Sequence, residues 1–182
     1  MDEKQLIAAL KRGEDRAFEE FVERYGDRLY RSLYLIVKEE AMARDLVQET
    51  FIKVIKNVKG FKGESSLYTW VYRIAVNQMK DEFRKTGREV MGCEGMEQGR
   101  SHVESDVIRN EQNREVAECL REIPIKYRKV MTLFYYEEMK IKDIARILEE
   151  KEGTIKSKLH RGKKALKDML REREVFHEKE TV

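Results

Sequence analysis

Along most of the chain, apolar residues recur at intervals of three and four, the period of an amphipathic helix. Asp2 to Lys11 is predicted as a short helix stopped at Gly13, with Asp15 placed to cap a long helix running to about Val37. Phe18, Phe21, Val22, Tyr25, Leu29, Leu33, Ile36 and Val37 form its stripe, wide enough for at least two neighbours to pack on. A helix over about Ala41 to Asn57 turns Leu46, Val47, Phe51 and Val54 to one side and leaves Asp45, Gln48, Glu49, Ile52 and Lys56 on the other. The loop Lys59 to Glu64 holds two glycines, and Ser65 or Ser66 can cap the next helix, Leu67 to about Lys85. There Leu67, Trp70, Val71, Ile74 and Ala75 pack inward, while Tyr68, Tyr72, Arg73, Asn77 and Lys80 fall nearer the rim or solvent.

Thr86 to Asp106 breaks the pattern, with four glycines and no period, and is predicted as a linker. Helical spacing resumes from about Val107 through Arg121, and Pro124 opens a further helix. Met139 to Leu170 then divides into two short amphipathic helices around a polar turn. Ile141, Ile144, Ala145 and Leu148 line the first, and Ile155, Leu159, Gly162 and Leu166 line the second. This is the pattern of a helix-turn-helix. The predicted fold class is all-α, without a sheet: two small helical domains, 1–85 and 107–182, joined by a flexible linker over 86–106, with the helix-turn-helix in the second.

Composition agrees, since 40% of the 182 residues are charged and there is a single proline. The net charge of +3 hides a division into +2 over 1–85, −3 over 86–106 and +4 over 107–182. Between Gly153 and Lys167 lie six Lys or Arg and no Asp or Glu. At about 100° per residue, Ser157, His160, Arg161 and Lys164 face away from the apolar stripe of the second helix. Lys156, Lys158 and Lys163 flank them. Such a face suits the major groove, where phosphates attract cations and base edges accept from Lys and Arg.

Other chemistry is not indicated. Cys93 and Cys119 stand far apart as expected free thiols, and His102, His160 and His177 lack metal-ligand spacing. Neither a phosphate-binding glycine loop nor a nucleophilic triad can be argued, so the expectation is a non-enzyme without cofactor or metal. No apolar run approaches the roughly 20 residues of a membrane span, and the amino terminus lacks the pattern of a signal peptide, so a cytoplasmic location without membrane insertion is expected.

The loop and helix from Phe61 to Lys80 combine aromatic rings, an amide and cations, a mixture suited to single-stranded DNA, where bases stack, amides pair with base edges and cations neutralise phosphates. On the preceding helix Ile52 is an apolar residue ringed by Asp45, Gln48 and Glu49, either an isolated surface apolar or the anchor of a partner interface.

Four segments resemble one family, REIPIKYRKVMTLFYYEEM in its overall pattern and three others in particular regions. GTIKSKLHRGKKAL is similar to the carboxy-terminal domain of bacterial sigma factors of the extracytoplasmic-function class, DLVQETF to their polymerase-docking region, and FKGESSLYTWVYRIAVN to their −10 reader. The family commonly has Gly where Glu149 and Glu150 follow the first helix, and Ala where Gly162 stands. The resemblance implies −35 duplex contacts by Thr154, Lys156, Ser157, Lys158, His160, Arg161, Lys163 and Lys164. It implies contacts to melted −10 DNA by Phe61, Lys62, Gly63, Tyr72, Arg73, Asn77 and Lys80, and polymerase docking by Asp45, Gln48, Glu49, Ile52 and Lys56. The implied partners are core RNA polymerase, through the clamp helices of its largest subunit and its flap, promoter DNA and an anti-sigma factor.

Two other classes fit a helix-turn-helix. One is a regulator with an effector-binding amino-terminal half, which needs a ligand pocket or phosphoacceptor; the other is an adaptor whose basic helix meets an acidic protein. The polar docking face and the glycine-bounded aromatic loop favour the sigma-factor expectation over both.

Overall fold

The structure is a computed structural model that describes residues 1–86, 118–120 and 122–180. Among these residues the chain forms helices and no strand. In α1 (Glu3–Arg12), Asp2 accepts from the Gln5 amide and the Gln5 side chain accepts from the Asp2 amide, a reciprocal cap, and Gly13 ends the helix with φ 78°. α2 (Asp15–Val37) includes Asp15 as its first residue; the cap position falls on Glu14, which makes no capping bond. The expected Asp15 cap is thus shifted by one residue.

α3 (Glu40–Asn57) and a single 3-10 turn (Val58–Gly60) lead to α4 (Leu67–Thr86), which Ser66 caps by accepting from the Thr69 amide. Leu29, Leu33, Ile36, Leu46, Val54, Val71, Ala75 and Met79 fill the space between α2, α3 and α4. A relay of rings crosses this core: Phe51 meets Phe21 at 5.3 Å, Phe21 meets Tyr25 at 5.4 Å, Tyr25 stacks on Tyr68 at 5.4 Å, and Tyr68 meets Tyr72 edge-on at 5.9 Å. Two sequence expectations are corrected here. Val22, placed in the α2 stripe, is 45% exposed, and Tyr68 and Tyr72, placed at the rim, are buried. The α2 stripe is narrower than its apolar content, and the two tyrosines belong to the ring relay.

The second unit comprises α5 (Ile125–Met131), a π-helical turn (Thr132–Tyr136), α6 (Ile141–Leu148) and α7 (Glu152–Glu180). Pro124 occupies the cap of α5, and α7 spans 29 residues where a short helix is expected. Val130, Leu133, Ile144, Ile147, Ile155 and Leu159 form its core. A Cβ on Gly162 would stand 2.5 Å from Met131 Sδ and 3.3 Å from Tyr127 Cβ, so the helix gives up about 1 kcal/mol of propensity to let α5 pack close to α7. Of the linker expected over 86–106, Thr86 ends α4 and 87–106, with Cys93, lie outside the described residues, as does the helix expected over 107–121 apart from 118–120; Cys119 is buried.

Where freedom on a tether is expected, the described units are in contact. Arg128 Nε donates to the Ile36 carbonyl at 2.9 Å, Arg146 to the Glu64 carbonyl at 3.0 Å, and Arg28 Nε to the Glu137 carboxylate at 2.7 Å. Lys80 reaches Glu149 at 3.2 Å and the Leu148 carbonyl at 3.4 Å. Helical periodicity reports which side of a helix is apolar, and these contacts are made by charged residues between helices far apart in sequence.

Candidate nucleic-acid interface

The turn between α6 and α7 closes at Glu149, which takes a left-handed conformation (φ 60°, ψ 42°) and donates its amide to the Ala145 carbonyl. An L side chain there costs about 1–2 kcal/mol that glycine would avoid, yet the turn forms as a helix-turn-helix needs it. Glu150 then accepts from Lys158 at 2.6 Å, which ties the turn to the following helix. α7 buries Ile155, Leu159 and Gly162 and exposes Thr154, Lys156, Ser157, His160, Arg161, Lys163 and Lys164. Seven of the eight expected −35 residues therefore share an open surface, and Lys158 stands half-buried beside it.

A concavity of about 390 Å³ lies between α5 and the start of α7, lined by Lys126, Tyr127, Gly153, Thr154, Ser157, Lys158 and Arg161. The Tyr127 hydroxyl is more acidic than usual, chiefly because of the neighbouring Arg161 guanidinium; burial opposes this and Lys126 adds to it. Lys126 and Tyr127 were not legible as site residues, because their helical spacing says nothing of which neighbouring helix they meet. A short cationic dish beside a helix start can seat a phosphate, while the exposed face of α7 can enter a groove.

The expected −10 residues separate into two sets. Lys62, Gly63, Arg73 and Asn77 are exposed, with Arg73, Asn77 and half-buried Lys80 in one stripe of α4. Gly63 has φ 76°, a backbone that only glycine adopts without strain. Phe61 and Tyr72 are inside. Phe61 is 4% exposed and packs on Trp70 at 5.2 Å, and its carbonyl accepts from Lys11 at 2.7 Å. Tyr72 is fully buried, its hydroxyl 2.6 Å from Ser32 Oγ. Burial, then the Glu137 charge, drives the hydroxyls of both Tyr68 and Tyr72 well above the ordinary tyrosine range.

All five expected docking residues, Asp45, Gln48, Glu49, Ile52 and Lys56, are exposed on α3. Ile52 is 50% exposed and has company that sequence reading missed: Ile55 at 48% on the same helix. Beside them Asp45, Leu46, Glu49, Lys53, Gln78 and Asp81 border a groove of about 890 Å³ between α3 and α4. Gln78 accepts from Lys53 through Oε1, while its buried Nε2 has no partner among the described residues. The surface thus combines apolar anchors and carboxylates, the composition of a protein-binding patch.

A two-unit, all-helical protein with an exposed basic recognition helix belongs to the class of helix-turn-helix DNA-binding proteins. Comparison with known proteins narrows this: residues 21–89 match Sigma-70 region 2 and residues 113–166 match Sigma-70, region 4. The chain is 33% identical over 181 residues to the ECF RNA polymerase sigma factor SigW of Bacillus subtilis, covering 93% of this chain and 97% of that one. It is 29% identical to RNA polymerase sigma-H factor of Pseudomonas aeruginosa over 93% of this chain and 96% of that one. Among solved structures, the sigma factor RpoE in complex with the anti-sigma factor NepR from Bartonella quintana has a TM-score of 0.70 at 23% identity, covering 85% of this chain and 96% of that one. CnrH in complex with the cytosolic domain of CnrY has a TM-score of 0.67 at 22% identity, over 92% of this chain and 96% of that one; at such identities these two speak to the fold. The chain belongs to the extracytoplasmic-function sigma factors of the sigma-70 family. It is therefore a transcription initiation factor that directs RNA polymerase to promoters, not an enzyme. Among the described residues no helix is long and apolar enough to cross a membrane.

Proposed function

We propose that residues 107–182 fix RNA polymerase to the −35 duplex through α7, that 1–85 grips the polymerase through α3 and holds opened −10 DNA with the 61–64 loop and α4, and that 86–106 connects them. The observation that carries this is the face of α7: Thr154, Lys156, Ser157, His160, Arg161, Lys163 and Lys164 exposed together on the second helix of a helix-turn-helix. Arg161 and Lys156 are suited to base-edge acceptors, and Lys163 and Lys164 to phosphates.

On α4, Arg73 and Lys80 neutralise the strand and Asn77 pairs with a base edge; Gly63 lets the loop backbone approach the DNA, and Lys62 adds charge. Phe61 and Tyr72 act from within, Phe61 anchoring the loop on Trp70 and Tyr72 bracing α4 against α2 through Ser32. Extruding a base costs a few kcal/mol and stacking or pairing returns about 1–3 kcal/mol per base, so binding energy offsets melting without nucleotide hydrolysis. Asp45, Gln48, Glu49, Ile52 and Lys56 dock on the clamp helices of the largest polymerase subunit, and the carboxy-terminal unit meets the flap. The protein acts in the cytoplasm and binds an anti-sigma factor, as the sigma factor RpoE of Bartonella quintana is in complex with the anti-sigma factor NepR.

Run-off transcription with purified core polymerase tests the proposal. New, promoter-dependent initiation is expected on adding this protein; DNA binding without initiation would return it to the class of ordinary helix-turn-helix regulators.

A further inference from the structure

We infer that α1 is a splint for the loop that holds −10 DNA, with Lys11 and Glu3 as positioning residues at the two ends of that loop. The inference rests on the −10 capture proposed above and adds the residues that set the loop in place. Lys11 Nζ donates to the Phe61 carbonyl at 2.7 Å, 50 residues away in sequence. At the other end of α1 the Glu3 carboxylate accepts from the Leu67 amide at a longer 3.4 Å, across 64 residues. Phe61 follows the 3-10 turn and Leu67 is the first residue of α4, so the two bonds fall where the loop begins and ends.

Each bond suits its place. The Leu67 amide belongs to the first turn of α4, where amides lack helical partners and the helix dipole favours a carboxylate. The Lys11 ammonium makes a charge-assisted bond, and Phe61 is 4% exposed, so its carbonyl would find little water in place of that donor. α1 is a firm support. The reciprocal Asp2–Gln5 cap fixes its start, Gly13 fixes its end, and Leu6, Ala9 and Leu10 are buried as the helix packs on α2 and the 3-10 turn. Glu3 and Lys11 stand about 12 Å apart along the helix at about 1.5 Å per residue, which sets the spacing of the loop's ends.

Between the two bonds Lys62, Gly63 and Glu64 are exposed, and Gly63 has φ 76°. The loop's own unit supplies both end bonds, whereas the contact at its tip, from Arg146 to the Glu64 carbonyl, comes from the other unit. A loop that closes on DNA loses backbone freedom, and ends held in advance reduce that loss. The same Lys11 bond seats the Phe61 ring on Trp70 at 5.2 Å. Trp70 is the one tryptophan of the chain, so its fluorescence reports the loop without DNA.

Two measurements on the full chain test the splint: acrylamide quenching of Trp70 in the free protein, and permanganate reactivity of −10 thymines with core polymerase at equal occupancy. Lys11→Met keeps the aliphatic stem and removes the donor, and Lys11→Arg returns one. Lys11→Met should raise Trp70 quenching and lower the open-complex equilibrium about tenfold, the effect of ordering about one further residue. Lys11→Arg should recover most of both. Glu3→Ala, at an exposed position, should move both readouts in the same direction while keeping the helical content. Binding to the −35 duplex and co-elution with core polymerase should match wild type in all three variants. Unchanged quenching in both Lys11→Met and Glu3→Ala would overturn the inference, as would raised quenching with opening intact. A loss of opening that Lys11→Arg does not restore, or that comes with equal losses of −35 binding and docking, would reduce Lys11 to plain structural support and overturn it too. Asn77→Ala separates the two levels: if that variant opens the promoter as wild type does, the −10 reading itself has failed and the splint falls with it, whatever the quenching shows.

Discussion

The Tyr68 hydroxyl donates to the Glu137 carboxylate across 2.9 Å, although 69 residues separate them in sequence. The bond joins the helix proposed to hold −10 DNA to the turn preceding the helix-turn-helix, and it sits under the stacked ring of Tyr25 and the guanidinium of Arg28, 4.5 Å from the Tyr68 centroid.

A titration follows from that burial. The folded Tyr68 hydroxyl is raised above its ordinary 10.0 by burial first and the Glu137 charge second. A raised folded value means the stability it contributes is intact below pH 10.0 and is lost as pH climbs above it, because the unfolded phenol ionises first. Tyrosinate absorbance of the native protein should therefore show Tyr68 and Tyr72 silent at pH 10.0 and appearing only with loss of helical signal. Tyr68→Phe should make the alkaline transition shallower. An unchanged titration in that variant would mean that Tyr68 is already solvated.

The recognition helix has a directional prediction. Arg161→Ala should cost about 1–3 kcal/mol on the specific −35 duplex and alter base preference at one position. It should also restore a more ordinary Tyr127 hydroxyl, since Arg161 is what chiefly acidifies it. Lys163→Ala or Lys164→Ala should weaken all sequences alike and flatten the salt dependence. Competition binding across a set of single-base variants checks both; an unaltered preference profile in Arg161→Ala would place the wrong face of α7 in the groove.

Docking rests on an apolar anchor in a polar ring. Ile52→Glu should lower affinity for core polymerase by at least about 2 kcal/mol, since it puts an unpaired charge in the exposed Ile52 and Ile55 patch proposed to dock. Helical content should be unchanged, because residue 52 touches solvent in the free chain. Size-exclusion of the mutant with core polymerase gives the answer. Normal co-elution would reduce Ile52 to an ordinary surface residue.

Much of this architecture was legible in the chain. The periods of Leu29, Leu33 and Ile36 and of Ile144 and Leu148 place core faces correctly, and the charge run from Lys156 to Lys164 lies on the open face of α7. Spacing could not assign Tyr68 and Tyr72, because a tyrosine at a helix boundary suits rim and core alike, and the outcome was decided by Tyr25, Ser32 and Glu137 on other helices. Local propensity makes Gly162 a loss to its helix, and only the packing of Met131 and Tyr127 against it gives the reason for it. Glu149 shows the converse: tertiary packing holds a non-glycine residue in the left-handed region that local preference would assign to glycine. The contact between the units leaves no periodic trace, since helical spacing says nothing of what Arg28 and Glu137 meet.

The most direct measurement is permanganate reactivity of −10 thymines on promoter DNA with core polymerase and either this protein or its Asn77→Ala variant, compared at equal polymerase occupancy. Asn77 is exposed on α4 beside Arg73, so its loss should leave −35 binding and docking intact. Wild-type protein should make the −10 thymines reactive. Asn77→Ala should lower the open fraction by about 1–3 kcal/mol of equilibrium, with partial rescue on a premelted template. Equal reactivity in wild type and variant would contradict capture of opened −10 DNA by this face of α4.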